Sequence, residues 1–440
     1  MVKRRQLDAV GFLTVYLVLL FAIPADLIFK PLGASGTPAN VMGIVGFLWW
    51  VYAKMLRGSG VARGRQPIRI ALLIFGSAIL ASMAALYTRD FVPKEASALN
   101  RGALVFIGSA GVALLIADGV TTMARFQTLL RRLVAGASAV AAVGLLQFAT
   151  GFDLAKRIKI PGLQINGDLE PWGSRGGFRR VQSTASHPIE FGVVLALIFP
   201  IALHLVLVAP KGQRRGRILC AFLLAMGVVT SLSRSGFVAL LAGCLMLFAV
   251  WSPQMRTKAL ALAVVFATGM RFLVHGLVGT VLDLFTGISS DSSTTARTGR
   301  YGIAGHYIKM HPFFGRGFFT FIPQLYMIFD NQFLLTAVEM GLVGLVALFL
   351  FCFIAIFTAR GARRMSVDPE ARHLAQALAG SMVAATLSFA TYDALSFPMA
   401  TAAVFFLLGC CGALWRFAKE DFVSRSSLGG TLPVKLVSLP

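Results

Sequence analysis

Apolar runs of about twenty residues, each closed by a short polar or basic turn, repeat along the whole chain. About 20 apolar residues are enough to cross a bilayer. By that measure the pattern predicts twelve membrane-spanning helices, at roughly 9–29, 37–56, 69–88, 102–119, 133–150, 187–209, 218–233, 235–253, 257–274, 330–358, 374–392 and 398–415. The first run is too long for a signal peptide and lacks an A-x-A cleavage site, so it reads as a span. Between the fourth and fifth runs, TTMARFQTLLRRLV puts Met123, Phe126, Leu130 and Leu133 on one helical face, with Arg125, Arg131 and Arg132 largely elsewhere. That pattern predicts an interfacial helix on the inner surface. The expected fold is an all-α polytopic membrane protein, a single integral membrane domain over residues 1–440. Two extracytoplasmic loops are expected, at 151–186 and, larger, at 275–329 before the tenth helix.

Composition supports the membrane reading. The chain is 57% hydrophobic and 13% charged, against about 25% charged residues in a soluble domain. The net charge of +23 comes without a nucleic-acid-binding motif, and a mean hydropathy of +0.77 argues against a DNA-binding protein. Anionic lipid headgroups and a phosphorylated substrate are the partners that such a charge suits. The five cysteines, Cys220, Cys244, Cys352, Cys410 and Cys411, all fall in apolar runs without zinc-ligand spacing. They read as small core residues, with neither a disulfide framework nor a metal site.

Lys/Arg bias sets the orientation. The start of the chain, the KMLRGSGVARGRQPIR, PKGQRRGR and RGARR turns and the tail are all basic, and with twelve spans they share one side. That side is expected to be the cytoplasm, with both termini inside. About 25 of the 41 basic residues then lie inside and about 16 outside. The outer ones concentrate in the two loops. The first holds Lys156, Arg157, Lys159, Arg175, Arg179 and Arg180 against Asp153, Asp168 and Glu170, and the second holds Arg297, Arg300, Lys309 and Arg316 against Asp283 and Asp291. Charge set against the topology rule suggests anion binding. The plainer alternative is that long translocated loops escape the rule and carry ordinary solvated charge.

Within the second loop, SSTTARTGRYGIAGHYIKMHP predicts a helix, with capping oxygens at Ser292–Thr295 and a stop at Pro312. Arg297, Arg300, Ala304, Tyr307 and His311 recur at spacings of three and four, so they share a face. Two guanidiniums near a helix N-terminus suit a phosphate; a surface helix resting on lipid headgroups is the other reading. In FFGRGFF, Gly315 and Gly317 let the backbone bend around Arg316. Asp330-Asn331 stands at the mouth of the tenth run. Asp330 is open to two compatible readings, a general base for a sugar hydroxyl or an N-cap. Glu339, about 13 Å deeper along a helix, cannot be a cap, so it is paired in the bundle or lines a polar cavity. Earlier, GGFRRVQSTASHPIEFG places Arg179 and Arg180 ahead of His187-Pro188 and Glu190, with His187 by itself reading as a cap. TSLSRSG puts Arg234 in a tight link between two apolar runs, where it either snorkels outward or closes a pocket around an anion. The chain has no P-loop, G-x-S-x-G, H-E-x-x-H or GxGxxG following a strand, so an enzyme built on it would use an activated substrate.

RRVQSTASHP entering a span, the SLSRSG link, then R-x-x-R, HPFFGRG and Asp330-Asn331 leading to Gly341-x-x-Gly344 together resemble the O-antigen ligase and polymerase superfamily. The likeness runs from about Arg179 to Gly344. It implies a glycosyltransferase C-like, multi-pass enzyme of the bacterial inner membrane. Such an enzyme moves a glycan from undecaprenyl diphosphate onto a hydroxyl at the outer membrane face, with no metal and no cofactor. By resemblance, Arg179 or Arg180, Arg234, Arg297, Arg300 and Arg316 would hold the carrier diphosphate and Asp330 would serve as base. If Asp330 is only a cap, the base role passes to His311 or His306, the nearest outer candidates in the sequence, and Asn331, Glu339 and His187 are the supporting candidates. In lipid A-core ligases a histidine stands where Asp330 does, with ten residues between it and the glycine matched by Gly341. The Asp-Asn form is similar to that of O-antigen and exopolysaccharide repeat-unit polymerases, so the resemblance favours a polymerase over a ligase. The partners it implies are the lipid-linked glycan, a glycan or lipid-linked acceptor, membrane lipids and a chain-length regulator. A flippase for the same lipids is the alternative from another class, but it would show an internal repeat and charge near mid-membrane. The sequence carries neither.

Overall fold

The computed structural model describes residues 8–56, 61–166, 173–274, 276–286 and 292–427. It is 76% helical, which meets the all-α expectation. Its helices are α1 (Ala9–Ala22), α2 (Pro38–Met55), α3 (Pro67–Leu86), α4 (Pro93–Gly119), α5 (Met123–Thr150), α6 (Pro188–Leu207), α7 (Arg214–Thr230), α8 (Arg234–Phe248), α9 (Pro253–Leu273), α10 (Leu277–Thr286), α11 (Ser292–Met310), α12 (Gln332–Met365), α13 (Pro369–Ser388) and α14 (Pro398–Ser427). Several open on proline, whose missing N–H is no loss at a helix start. Asp8, Thr37, Thr122, Ser233 and Asp368 cap α1, α2, α5, α8 and α13 through their side chains.

Six helices among the described residues, α3, α4, α5, α6, α12 and α14, are long and apolar enough to cross a membrane, and α9 with α10 makes a seventh if the bent pair is one span. The first apolar run yields a shorter helix than expected, because Ile23-Pro24 leaves helical geometry after Ala22. α14 is the centre of the bundle, with 89% of its most apolar window buried. It packs against α4, α12, α13 and α6. At its crossing with α4, a Cβ on Gly409 would stand 2.6 Å from the Ala113 carbonyl oxygen, so the two backbones meet directly.

The expected interfacial helix at 121–134 is not a separate element. Met123–Thr150 is one continuous helix. Phe126, Leu130 and Leu133 are buried and Arg125, Arg131 and Arg132 exposed, as the pattern indicated. No breaker follows, so the apolar face simply continues through Val134, Ala137 and Val140 into the bundle.

The two ends of the bundle differ in chemistry. At one end, basic side chains serve helix carbonyls: Arg217 donates to Leu205 O (2.8 Å), Arg256 to Phe248 O (2.9 Å) and Arg416 to Ala117 O (3.1 Å). Buried Asp118 there takes two bonds from Arg69 (2.8 Å each) and lies 3.3 Å from Lys54. The links 23–37, 87–92, 231–233, 311–331 and 389–397, with residues 151–166 and 173–187, gather at the other end. Short antiparallel pairings tie some of them together, β1 (Leu27–Ile28) with β2 (Gln164–Ile165) and β3 (Ser174–Arg175) with β4 (Phe178–Arg179).

Candidate active site

The loop before the tenth apolar run folds as α11, a turn, and a break in α12. α11 stops at Met310, just before Pro312, as the sequence indicated. Its buried Ala304, with Tyr307 and Ile308 beside it, packs on a small cluster of Phe321, Phe329, Leu335 and Val338. The run beginning at 330 is not one uninterrupted helix: Gly341 has φ 64° and ψ −163°, a region open essentially to glycine alone. In an unbroken helix Leu342 and Val343 would donate to Val338 and Glu339. Instead Leu342 N–H donates to Pro312 O (2.8 Å) and Val343 N–H to Phe313 O (3.1 Å), while Val338 O accepts from Arg316 N–H (3.1 Å) and Glu339 O from Gly317 N–H (2.9 Å). The HPFFGRG turn is thus inserted into the helix and replaces its missing bonds. A Cβ on Gly315 would overlap the Glu339 carbonyl, and one on Gly341 would overlap that of Phe313.

This insertion places the expected site residues. Asp330 sits immediately before α12 with φ 54°, an uncommon conformation for a residue with a side chain. Arg300 Nη1 donates to its Oδ2 at 3.1 Å. The N-cap of α12 is Asn331, whose Oδ1 accepts from Leu334 N–H at 3.1 Å, so the capping role falls to it and not to Asp330. Glu339 is buried and accepts from Phe321 N–H at 3.0 Å, holding the turn from its far side. Arg316 packs against the rings of Tyr307 and Tyr326, 4.8 and 4.9 Å from their centroids, and donates from Nη2 to the Tyr326 hydroxyl at 2.7 Å. His311 is half-buried just past α11; burial and then the charges of Arg316 and Arg89 lower its pKa, which favours the neutral, proton-accepting ring. Arg297 lies one turn before Arg300 on α11, and its side chain falls outside the described residues.

The starts of α6, α8 and α12 meet at the 389–397 link. Asn331 N–H donates to Asp393 Oδ1 (2.8 Å), and Gln332 N–H to Phe389 O (2.7 Å). Ser235, beside Arg234 at the start of α8, donates to Thr391 O at 3.4 Å. The Phe397 ring lies 5.6 Å from that of His187. His187 caps α6 by accepting from Ile189 N–H at 3.0 Å. Burial and the Arg180 charge lower its pKa to about 3, so it is the neutral acceptor that a cap requires. Arg180 is half-buried, and burial followed by the Arg175 charge lowers its pKa to about 10. Arg179 is exposed and lies over Gly151 at the end of α5. The buried Nε atoms of Arg180 and Arg316 find no acceptor among the described residues.

Sequence reasoning missed Asp393, Glu95, Arg89 and Tyr326. Asp393 is buried; burial pushes its carboxyl up to about 6, with the Asp330 charge adding and the Asn331 N–H opposing. Its one visible signal was an acidic residue in the short link FATYDALSFP of a strongly basic chain. Glu95, at the start of α4, accepts from Arg89 Nη2 at 2.7 Å and from Tyr326 at 2.9 Å. Among the described residues no group of three or more His, Cys, Asp or Glu side chains is arranged to hold a metal ion.

Residues 219–349 match the family model of O-antigen ligase. That match supports the O-antigen ligase/polymerase superfamily. The matched stretch runs from α7 through the helix break and contains Arg234, Arg297, Arg300, His311, Arg316, Asp330, Asn331 and Glu339. It supports, in general terms, a glycosyltransferase-like activity with a lipid-linked glycan as partner, and the apolar helices support a multi-pass membrane protein. Glu95, Arg89, Arg179, Arg180, His187 and Asp393 lie outside the match. No curated protein matches the chain.

Proposed function

We propose that this protein is a polymerase of polyprenyl-diphosphate-linked repeat units, working on the outer face of the bacterial inner membrane. The observation that carries the reading is the 3.1 Å contact between Arg300 and Asp330. It sets a cation for a departing diphosphate beside a carboxylate for an incoming hydroxyl. In the proposed reaction the bond from the anomeric carbon to the diphosphate oxygen breaks. The acceptor sugar oxygen bonds to that carbon, and its proton passes to Asp330. The diphosphate leaves with the electron pair, neutralised by Arg300, Arg297 and the cationic groups around Arg180 and Arg234. A guanidinium has five N–H donors, so Arg300 can hold Asp330 and phosphate oxygens together. The buried Nε donors of Arg180 and Arg316 support an anion at this end of the bundle.

The same reading puts the 151–186 and 275–329 loops outside, both termini in the cytoplasm, and twelve crossings between. The basic end that serves helix carbonyls then faces the cytoplasm, as the Lys/Arg rule asks. A carboxylate at position 330 favours the polymerase over a ligase acting on lipid A-core. Reconstitution tests the choice. Purified protein given only an undecaprenyl-diphosphate-linked repeat unit should give a ladder of lengthened products without added lipid A-core. A single product formed only when lipid A-core is present would make it a ligase instead.

A further inference from the structure

The carboxylate of Glu95 ties together the start of α4, the turn after α3 and the 311–331 turn; Glu95 and Arg89 lie outside the matched region, and Arg316 and Tyr326 lie inside it. It lies in the first turn of α4 and its side chain is 2% exposed. Oε1 accepts from Arg89 Nη2 (2.7 Å) and the Tyr326 hydroxyl (2.9 Å), with Arg316 Nη2 at 3.5 Å. Oε2 accepts from Arg89 Nη1 (3.2 Å) and Val92 N–H (3.1 Å). The Tyr326 oxygen passes its proton toward Glu95 and accepts from Arg316 Nη2 at 2.7 Å. Arg89 also donates from Nε to the Arg316 carbonyl at 2.9 Å, fixing the backbone of the inserted turn. Arg316 in turn carries the Tyr307 ring of α11 on its guanidinium.

We propose that Glu95 is a positioning residue: it fixes Arg316, and through the Arg316–Tyr307 contact it sets where α11 holds Arg300 opposite Asp330. Two arginines converge on this one carboxylate, so removing it leaves two buried cations facing each other without a counter-charge. Tyr326 then loses its acceptor, and Arg316 loses the charge that it faces beyond the Tyr326 hydroxyl. Among the described residues, the other contacts of α11 with the bundle are the small aromatic and aliphatic cluster behind Ala304 and Tyr307, and the Arg300–Asp330 pair itself. A shift there moves Arg300 relative to Asp330. Misplacement of about 1 Å can cost about 100-fold in rate.

The functional half of the proposal rests on the polymerase reading; the positioning half does not. The test uses full-length protein in detergent, comparing wild type with Glu95→Gln, and with Tyr326→Phe in case the first variant does not fold. Amide exchange over residues 301–310 and turnover of an undecaprenyl-diphosphate-linked oligosaccharide are both measured. We expect exchange there to quicken by about tenfold or more as α11 detaches, and kcat to fall by about ten- to a hundredfold. Wild-type exchange over 301–310 in a folded variant overturns the proposal whatever the activity. Faster exchange with unchanged kcat overturns the link to catalysis. A wild-type protein that turns nothing over, with the exchange effect present, leaves Glu95 as the residue holding α11 and removes the polymerase reading instead.

Discussion

Arg300 and Asp330 face each other at 3.1 Å, although thirty positions separate them, because α11 folds back over the start of α12. Asn331, not Asp330, caps α12, and an asparagine amide at 330 can still accept from Arg300 through its oxygen. Asp330→Asn should therefore fold and express close to normally while losing the ability to accept a proton. A general base contributes typically about 10²–10⁴-fold. Polymer formation should drop by about that factor, read as product ladder per unit of purified protein. Normal ladders from Asp330→Asn would move the base to His311.

Among the described residues Arg300 meets the carboxylate through one nitrogen, and a guanidinium has further donors for a second anion. Lys keeps the charge but has a single ammonium point and no planar fork. Arg300→Lys should keep the protein intact yet lower turnover by about tenfold or more. The loss should appear in kcat/KM for the lipid diphosphate. Kinetics equal to wild type would return Arg300 to a purely structural partner of Asp330.

How much of this was legible beforehand follows from where the information lies. α11 and its stop at Pro312 could be read because caps, spacing and proline are local signals. The helix break at Gly341 could not. The stretch from Phe333 to Phe357 is almost wholly apolar, and the hydrogen bonds that make the break tolerable come from Pro312, Phe313, Arg316 and Gly317, far back in the chain. Asp393 and Glu95 escaped notice for a related reason. A single acidic residue in a short link looks like a cap or a solvated charge until the fold brings Asn331 or Arg316 to it. The interfacial helix at 121–134 failed differently: its two faces were right, but periodicity says nothing about whether a helix ends.

Gly341 yields a stability prediction. An alanine there must take a conformation costing on the order of 1–3 kcal/mol, and its methyl would overlap the Phe313 carbonyl. Straightening the helix would avoid both, but it would expel the HPFFGRG turn. Gly341→Ala should lower the unfolding temperature and abolish turnover. Gly305, on α11 with open space around its Cβ position, is the contrast: Gly305→Ala should be neutral or slightly stabilising. Equal melting of the two variants would mean that the turn does not depend on the break.

Orientation can be tested without any substrate. Ser174 and Ser427 are both exposed. Cysteine at Ser174 should react with a membrane-impermeant thiol reagent in intact spheroplasts, and cysteine at Ser427 only after permeabilisation. The reverse pattern would put the Arg300–Asp330 pair in the cytoplasm and end the proposed reaction.

Asp393 predicts a pH dependence with a definite sign. Burial raises its carboxyl from an ordinary 3.8 to about 6, so the fold favours the neutral form. A group raised in this way lends stability that is complete below about pH 4 and is lost as pH rises through about 6. Asparagine at this position can still accept the Asn331 N–H through its amide oxygen, and it never ionises. Wild type should therefore lose stability relative to Asp393→Asn as pH climbs from about 4 to 7, by at most about 3 kcal/mol. The comparison is unfolding temperature against pH for both proteins in one detergent, and the gap between the curves should change through that window and then level off. Curves that stay parallel from pH 4 to 8 would show that the Asp393 carboxyl titrates as it does in water, and that the strap from the 389–397 link to Asn331 is not a buried one.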